Sequence, residues 1–486
     1  MPRQSRLTGA AALIVAQACV LLFGYVAHLW IGRTLGPGPY GIYGVVLSIQ
    51  TIAGLVLTLG VPMAVSRFVA QDEPHARSIL YHALKIQGGI ALVVTLALSL
   101  AAPLIAGALG DAALTAYIQF AAAVIFLQAF YQLFIQFASG MHYFNRQAAL
   151  TILYATAKLA SALILIYFIG VYGAFSGFAV GAIVATAVGW YWTRRLGGRQ
   201  PHRLPLRPFL LFAGTYVLIL IGLQLLISLD LFMVKAYLGD DTAAGLYNAA
   251  VTLSRIPYML LQGLTFVLLP SISALTKSGA SREQAANFTR DVLRYLIGLI
   301  VPGAALAAAT SESLLGLFYS ADYTPAASAL TILMVGLSSL AFYLLLANIV
   351  SGAGRARVAL GLTGIILAVS AATGVSLVPR FGLIGAAWQT TIAGLVGLVL
   401  ISAYTFRAFK IPVPIRSITN IVIATIAAVA ITYVWQASPA TLLIQYAVAA
   451  VVYLLVLLLL GEVSAADRRY VAALHPKLQW LGPKDV

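Results

Sequence analysis

The chain has 486 residues, of which 62% are hydrophobic and 9% are charged. Soluble domains carry about 25% charged residues, so this composition excludes a soluble globular protein and predicts an integral membrane protein. The formal net charge is +16, a value that would suit either a nucleic acid or an anionic membrane surface as partner. The single cysteine, Cys19, excludes an intramolecular disulfide and a cysteine-based metal site.

Apolar runs of about 20 residues recur along the whole chain, and each is long enough to cross the hydrocarbon core as a helix. The first run is too long for the h-region of a signal peptide and lacks a convincing cleavage site, so we expect it to be a membrane helix too. The predicted fold class is an all-α integral membrane protein with about 14 transmembrane helices. Their predicted ranges are 8–32, 39–66, 79–105, 113–140, 147–168, 172–193, 208–235, 244–270, 289–309, 325–352, 357–378, 382–405, 415–435 and 441–461.

A basic segment with several prolines interrupts the hydrophobic pattern between Arg194 and Pro208. It predicts a cytoplasmic linker between two pseudo-symmetric six-helix bundles. The last helix of each bundle has a similar lead, since Val171-Tyr172-Gly173 resembles Arg380-Phe381-Gly382. The predicted divisions are an N-terminal bundle (1–195), the linker (196–207), a C-terminal bundle (208–408), two additional transmembrane helices (409–463) and a cytoplasmic tail (464–486).

Arginine and lysine collect in alternate loops. The linker 196–207 is one of these basic loops, whereas the opposite loops carry little beyond Arg33, Lys235, Arg380 and a few acids. By the positive-inside rule, this pattern predicts a multi-pass protein of the cytoplasmic (inner) membrane with both termini in the cytoplasm. The basic excess is therefore mainly a topology signal, with membrane lipids as the anionic partner, and we expect no nucleic acid.

Polar residues repeat between the two predicted bundles. Leu35-Gly36 and Tyr43 return as Leu238-Gly239 and Tyr247 about 204 residues later, and Phe130-Tyr131 returns as Phe342-Tyr343 after 212 residues. The first repeat leads into polar stripes on one helix face, formed by Ser48, Thr51 and Thr58 and by Asn248, Thr252, Arg255 and Gln262. Two repeated bundles that face each other across a polar seam are typical of alternating-access transporters.

Catalytic signatures are missing from the sequence: it has no Walker-type phosphate loop, no zinc-protease motif and no nucleophile elbow. The loops are too short to hold an extramembrane catalytic domain. We therefore expect no enzyme activity, no cofactor and no metal. Transport would be driven by an ion gradient, the membrane potential or consumption of the cargo.

Three cations, Arg33, Lys158 and Arg255, fall within or at the edge of predicted spans. A charge at mid-helix costs about 2.5–3.5 kcal/mol on insertion scales, so it should face a wet cavity or a partner. Asp230 is the only carboxylate clearly within a span, so the cavity should be net positive and bind an anionic cargo. The alternative is that Arg33 snorkels outward and that the other two bind helix carbonyls.

Amide side chains form a second group of candidates. Gln128, Gln132 and Gln136 share one face of the fourth span beside several aromatic residues, a combination that suits sugars. Asn248 and Gln262 would add to the cavity lining. The alternative is that these amides bond between helices as packing contacts. Asp230 is either a proton or cation site that couples transport to a gradient, or the structural partner of a basic residue.

The run from Leu35 to Tyr43 (LGPGPYGIY), the following Gly60-Val61-Pro62 and the later segment from Leu238 to Ala250 resemble bacterial polysaccharide-biosynthesis membrane proteins. These are oligosaccharide flippases of the multidrug/oligosaccharidyl-lipid/polysaccharide exporter superfamily. The resemblance covers nearly the whole chain, but its motifs are loose and specify the superfamily better than the substrate.

The resemblance implies an alternating-access flippase that moves a polyprenyl-pyrophosphate-linked oligosaccharide from the inner to the outer leaflet. The pyrophosphate would meet Arg33, Lys158 and Arg255, and polysaccharide assembly proteins are further candidate partners. Two additional C-terminal helices also occur in lipid II flippases, so that function stays open. Three more functions stay open beside it: a multidrug/cation antiporter, which needs acids in the cavity, a membrane glycan polymerase or ligase, and a scaffold that does not transport.

Overall fold

The protein was analysed as a computed structural model that describes residues 6–194, 206–257, 259, 261, 282–409, 415–435, 438 and 440–462. Within these ranges the chain is helical and contains no β-strand. This confirms the all-α prediction. The predicted lining residue Gln262, the linker 196–207 (except its last two residues) and the tail 464–486 lie outside the described residues.

The described helices are numbered in chain order. Their bounds are α1 Arg6–Leu35, α2 Pro37–Leu55, α3 Val61–Gln71, α4 Ala76–Ala108, α5 Leu114–Gly140, α6 Phe144–Ile169, α7 Val171–Thr193, α8 Leu206–Leu238, α9 Asp241–Ser254, α10 Arg282–Ala309, α11 Ser311–Phe318, α12 Ala327–Val350, α13 Ala356–Phe409, α14 Ile415–Val434 and α15 Leu442–Leu459. Two π turns, Val56–Gly60 and Ser351–Arg355, join α2 to α3 and α12 to α13.

Within the described ranges, 11 helices are long and apolar enough to cross a membrane. The longest, Ala321–Phe409, covers three of the predicted spans in one nearly continuous run. The predicted span 244–270 is described only in its first part. The multi-pass membrane character is therefore confirmed, while the number of about 14 helices stays a prediction.

By their packing, the described residues form two units. The first unit consists of the described parts of Met1–Ala249, Phe318–Tyr323 and Thr363–Gln389. The second unit consists of the described parts of Ala250–Leu317, Thr324–Leu362 and Thr390–Val486. The first unit thus contains helices from both predicted bundles. The division at the linker stays a prediction that rests on the sequence repeat.

The backbone preserves the internal repeat at the start of the last helix of each predicted bundle. Gly170 and Gly382 lie 212 residues apart and have nearly the same conformation, with φ 54° and 55° and ψ −129° at both. Glycine adopts this positive φ readily because it has no Cβ. Three residues later, Gly173 and Gly385 each lie against a carbonyl of the preceding helix. Gly170, and not Gly173, is therefore the counterpart of Gly382.

A buried amide supports the π turn at Val56–Gly60. The side chain of Gln87 on α4 is fully buried, and its Nε2 donates to the carbonyls of Leu57 at 2.6 Å and Ala129 at 2.8 Å. A π turn displaces carbonyls from their usual helical partners, and lipid offers no replacement. One glutamine thus joins the π turn, α4 and α5.

In the second unit, the two additional helices α14 and α15 pack on α10. Tyr453 on α15 donates to the carbonyl of Gly298 at 2.7 Å, and Tyr446 shares a hydrogen bond of 2.6 Å with Thr310. Glu462, just after α15, accepts from Asn420 at 2.8 Å. Apolar side chains of all three helices form a common core. The two additional helices are therefore anchored by polar contacts along α10.

We expect Gln87→Leu to lower the free energy of unfolding by about 1–3 kcal/mol, because two buried carbonyls lose their donor. The measurement is the temperature at which half of the detergent-solubilised protein aggregates. Gln119→Leu is the matched control, since Gln119 is an exposed amide with a long bond of 3.4 Å to Ser99. Equal midpoints for the two variants would contradict the support of the π turn by Gln87.

Candidate functional site

In the first unit, α2 and α9 touch through glycines at equivalent positions of the repeat. A Cβ added at Gly41 would overlap the carbonyl of Asp241, and a Cβ at Gly245 would overlap the carbonyl of Pro37. Gly41 and Gly245 are 204 residues apart, as are Pro37 and Asp241. The contact is therefore pseudo-two-fold, and it brings the second and eighth predicted spans backbone to backbone.

The predicted lining residue Asn248 lies one turn further along this contact. A Cβ at Gly44 would lie 2.5 Å from the Asn248 amide, so the side chain of Asn248 packs flat on the backbone of α2. The hydroxyls of Ser48, Thr51 and Thr58 on the facing predicted stripe donate to carbonyls one turn earlier in their own helix. The structure thus gives these stripe residues packing or intrahelical contacts.

Beside the glycine contact lies an ion-pair cluster in which a buried lysine meets two partly exposed carboxylates. Lys235 on α8 has only 1% of its side chain exposed, and its Nζ donates to Asp111 at 2.8 Å and also to Asp241. The charge pattern predicted Lys235 to be a loop residue. No sequence signal links it to Asp111, which lies 124 residues away in the chain.

The ion pair is stable at neutral pH. The hydrogen bond from Lys235 lowers the pKa of Asp111, which lies in the loop between α4 and α5. The lowered pKa keeps this carboxylate charged into pH values below its ordinary titration range. The contribution of the pair to stability is full above the ordinary pKa of an aspartate and is lost as the pH falls through the lowered pKa.

A group of tyrosines occupies the corresponding place on the other repeat. Tyr323 donates to the carbonyl of Gly32 at 2.7 Å, and the hydroxyls of Tyr319 and Tyr40 lie 3.0 Å apart. His28 approaches Tyr40 through a hydrogen bond of 3.2 Å. Aromatic residues of α1, α2 and the segment Phe318–Tyr323 therefore pack against one another within the first unit.

A polar and aromatic cluster lies among α2, α5 and α6. Gln50 donates to Gln128 at 2.9 Å, and Gln128 in turn donates to the hydroxyl of Tyr154 at 3.1 Å. The rings of Tyr154 and Tyr131 stack with their centroids 4.1 Å apart. Gln128, a predicted sugar-binding residue, is thus held in a bonded network, as the packing interpretation requires, while stacked rings stand beside it.

Lys158 lies one helical turn after Tyr154 on α6. Its Nζ is 4.7 Å from the ring centroid of Phe178 and 5.9 Å from that of Tyr154. Its stem packs on α7, where a Cβ at Gly181 would be 3.0 Å from the Lys158 Cβ. Within the part of the chain that the structure describes, Lys158 forms no ion pair with a carboxylate. Aromatic faces stabilise its charge, but nothing neutralises it.

The repeat shows that Lys158 is specific to one half. Its counterpart 212 residues later is Ser370, which accepts a hydrogen bond of 3.1 Å from Gln389. Gln389 is itself the counterpart of Gly177, which packs against the backbone of Lys158. One repeat therefore has a cation where the other has a neutral hydrogen-bonded pair.

Asp230 is buried on α8, with 2% of its surface exposed. Its carboxylate accepts from the hydroxyl of Tyr247 at 2.8 Å and from the backbone N–H of Leu231 at 2.8 Å. The nearby Lys235 pairs instead with Asp111 and Asp241. The only carboxylate predicted within a span thus lies in a bonded pocket between α8 and α9.

The remaining predicted residues have other environments. Arg33 is exposed in the last turn of α1, and Gln132 is partly buried on α5. Arg255 is partly buried just after α9 and belongs to the second unit. Of the predicted site residues, the structure brings together Lys158 and Gln128, linked through Tyr154. This arrangement offers one cation, amides and aromatic faces, which together suit an anionic glycan.

The sequence matches the family described as polysaccharide biosynthesis protein over residues 7–276. This is more than half of the 486-residue chain. A curated relative, an uncharacterized membrane protein of Methanocaldococcus jannaschii, is 28% identical over 182 residues, or 37% of this chain and 36% of that protein. The match thus spans only about a third of that relative.

Three solved transporters share this fold. The lipid II flippase MurJ in an inward closed conformation has a TM-score of 0.74 at 14% identity, covering 93% of this chain and 98% of that one. A multidrug resistance MATE family transporter has a TM-score of 0.65 at 19% identity, covering 80% and 95%. A transporter from Pyrococcus furiosus, described as having a binding pocket of reverse polarity, has a TM-score of 0.60 at 18% identity, covering 84% and 97%.

These neighbours are flippases and transporters, not enzymes. The family match and the shared helical architecture agree with the resemblance noted in the sequence. The chain belongs to the polysaccharide biosynthesis protein family and has the fold of the multidrug/oligosaccharidyl-lipid/polysaccharide exporter transporters.

Proposed function

We propose that this protein is a flippase that moves a polyprenyl-pyrophosphate-linked oligosaccharide from the inner to the outer leaflet of the cytoplasmic membrane. Both termini would lie in the cytoplasm, as the distribution of lysine and arginine predicts. The membership in the polysaccharide biosynthesis family supports a lipid-linked glycan as the cargo class. Polysaccharide assembly proteins would supply and remove this cargo.

The observation that carries the proposal is the isolated charge of Lys158. A cation within a membrane span is costly, and a structural cation is normally paired with a carboxylate or bound to carbonyls. Lys158 contacts aromatic rings instead, and its counterpart Ser370 shows that the fold does not need a cation there. An anionic group of the cargo, such as the pyrophosphate, would supply the missing partner.

The neighbouring network suits the sugar part of the cargo. The partly buried ring of Tyr154 would contact the apolar face of a sugar, while the buried ring of Tyr131 stacks behind it and the amides of Gln50 and Gln128 fix its hydroxyl. A saccharide bound here would have its linking pyrophosphate beside Lys158. The proposal therefore assigns Gln128 an orienting role next to the glycan.

The other predicted residues complete the proposed path. Arg33 and Arg255 would contact the pyrophosphate at other stages of transport, and Gln132, Asn248 and Gln262 would line the route. Asp230 would bind the coupling proton or cation. The hydrogen bond from the Tyr247 hydroxyl to Asp230 would then form or break as the carboxylate changes its state. A lipid II flippase is the closest competing function, because lipid II is also a polyprenyl-pyrophosphate-linked saccharide.

The decisive assay uses purified protein in liposomes that contain a fluorescent polyprenyl-pyrophosphate oligosaccharide. We expect the protein to equalise the probe between leaflets, measured by the fraction that an external, membrane-impermeant reductant quenches. Lipid II is tested in parallel to separate the two flippase functions. Exchange of cationic drugs without translocation of any such glycolipid would replace the proposal by multidrug antiport.

We expect Lys158→Met to reduce the initial rate of translocation by about 10-fold to 100-fold, since a charge-assisted contact is worth about 1.5–3 kcal/mol. Lys158→Arg should keep a large part of the rate, because it keeps the cation.

Lys85→Met is the matched control for this test. Lys85 also lies over a ring, 4.5 Å from the centroid of Tyr81, but it is on an exposed helix face. Its loss should leave the rate within about twofold of wild type. Equal rates for the two methionine variants, at equal abundance in the membrane, would refute the anion-binding role of Lys158.

We expect Asp230→Asn to abolish the dependence of translocation on an imposed proton or sodium gradient, because the neutral amide takes up no proton and lacks the negative charge that would hold sodium. Tyr247→Phe removes only the hydroxyl bonded to Asp230 and should change the size of the gradient effect without abolishing it. The measurement is the translocation rate with and without each gradient. A gradient effect that survives in Asp230→Asn would assign coupling to another residue.

A further inference from the structure

We propose that Lys235, Asp111 and Asp241 form an ionic latch that holds the two repeats together on the side predicted to face outward. The latch opens whenever the transporter exposes its cavity on that side. This role in the cycle rests on the proposed transport function, whereas the latch itself is defined by contacts within the first unit.

The latch joins one repeat to the other. Lys235 and Asp241 belong to the C-terminal repeat, at the end of α8 and the start of α9, and Asp111 belongs to the N-terminal repeat. Asp241 holds the Lys235 side chain within its own repeat, and the bond of 2.8 Å from Lys235 to Asp111 crosses between repeats. The lysine is therefore already positioned when Asp111 arrives.

A second contact between the repeats lies at the corresponding positions but involves no charge. Gly110 lies beside the carbonyl of Ala236, at 3.8 Å from an added Cβ, while Tyr323 donates to the carbonyl of Gly32 at 2.7 Å. Ala236 is the counterpart of Gly32 at an offset of 204, and Tyr323 is the counterpart of Asp111 at an offset of 212. Each repeat therefore places one loop on the first helix of the other repeat.

The axis that relates these contacts passes between α2 and α9. Gly38 and Thr242 are counterparts, and an added Cβ at Gly38 would lie 3.8 Å from the Oγ1 of Thr242. Residues that contact their own counterparts lie on a two-fold axis. The glycine contact, the tyrosine contact and the ion pair thus surround one axis and close one surface.

The chemistry of the latch suits a contact that must reopen. Lys235 gives up its hydration on burial, and the Coulomb energy of its bonds to the two partly exposed carboxylates largely offsets that cost, so the ion pair sets the register more than it adds stability. When water enters, the three charged groups are rehydrated, and this offsets the lost bonds. An apolar contact in the same place would oppose opening, because separation would expose apolar surface to water.

The test measures closure by a disulfide across the axis. Gly38→Cys and Thr242→Cys are introduced together in a Cys19→Ser background, with a protease site inserted in the linker 196–207. After mild oxidation and cleavage, the fragments stay joined only where the disulfide has formed. We expect efficient cross-linking, because the positions are close enough for disulfide geometry after a small shift.

The latch variants are then added to this background. Lys235→Met leaves two carboxylates facing each other, and we expect the cross-linking rate to fall at least about 10-fold. Asp111→Asn keeps the pair within the C-terminal repeat and should lower the rate about threefold. Arg380→Gln, which removes an exposed cation predicted to lie on the same side, should leave the rate unchanged.

Parental cross-linking rates in both latch variants, at normal abundance in the membrane, would overturn the proposal. The readout does not depend on transport. Altered cross-linking in a protein that moves no lipid-linked glycan would keep the latch and reject the proposed function. Parental cross-linking rates in the latch variants of a protein that does move the glycan would keep the proposed function and reject the latch.

Discussion

Polar groups inside a membrane must find their partners within the protein, because lipid offers neither hydrogen bonds nor counter-charges. Three buried polar side chains of the first unit illustrate this constraint. Gln87 serves two carbonyls, Lys235 pairs with two carboxylates, and Asp230 accepts from Tyr247. Lys158, in contrast, has aromatic rings as its neighbours and no carboxylate partner among the described residues. The anionic cargo that we propose would account for that difference.

The internal repeat is kept where the two halves meet and is lost where the cargo would bind. Glycines at equivalent positions let α2 and α9 touch, and the contacts around them occur in related pairs. Around Lys158 the equivalence ends, since Ser370 and Gln389 form a neutral pair in the other repeat. Symmetric contacts suit a closure that both halves must share. A one-sided cation suits a cargo that carries its charge at one end.

Much of the architecture could be predicted from the sequence, because hydrophobic length, loop charge and repeated motifs depend on local composition. The role of Lys235 could not, since its partner Asp111 is distant in the chain and the charge pattern places both residues in loops. Gln128 was recognisable as a polar residue on an amide face, but only the fold shows that Gln50 and Tyr154 hold it. For the same reason the exposure of Arg33 and the burial of Asp230 needed the structure.

The central claim is that the protein recognises the anionic link between lipid and glycan. The most direct measurement is binding of three synthetic ligands that share one glycan and one polyprenyl chain but carry a pyrophosphate, a single phosphate or an uncharged link. We predict that affinity falls in that order, with at least a tenfold difference between pyrophosphate and the uncharged ligand, as expected for one charge-assisted contact. Equal affinity for all three ligands would contradict the account.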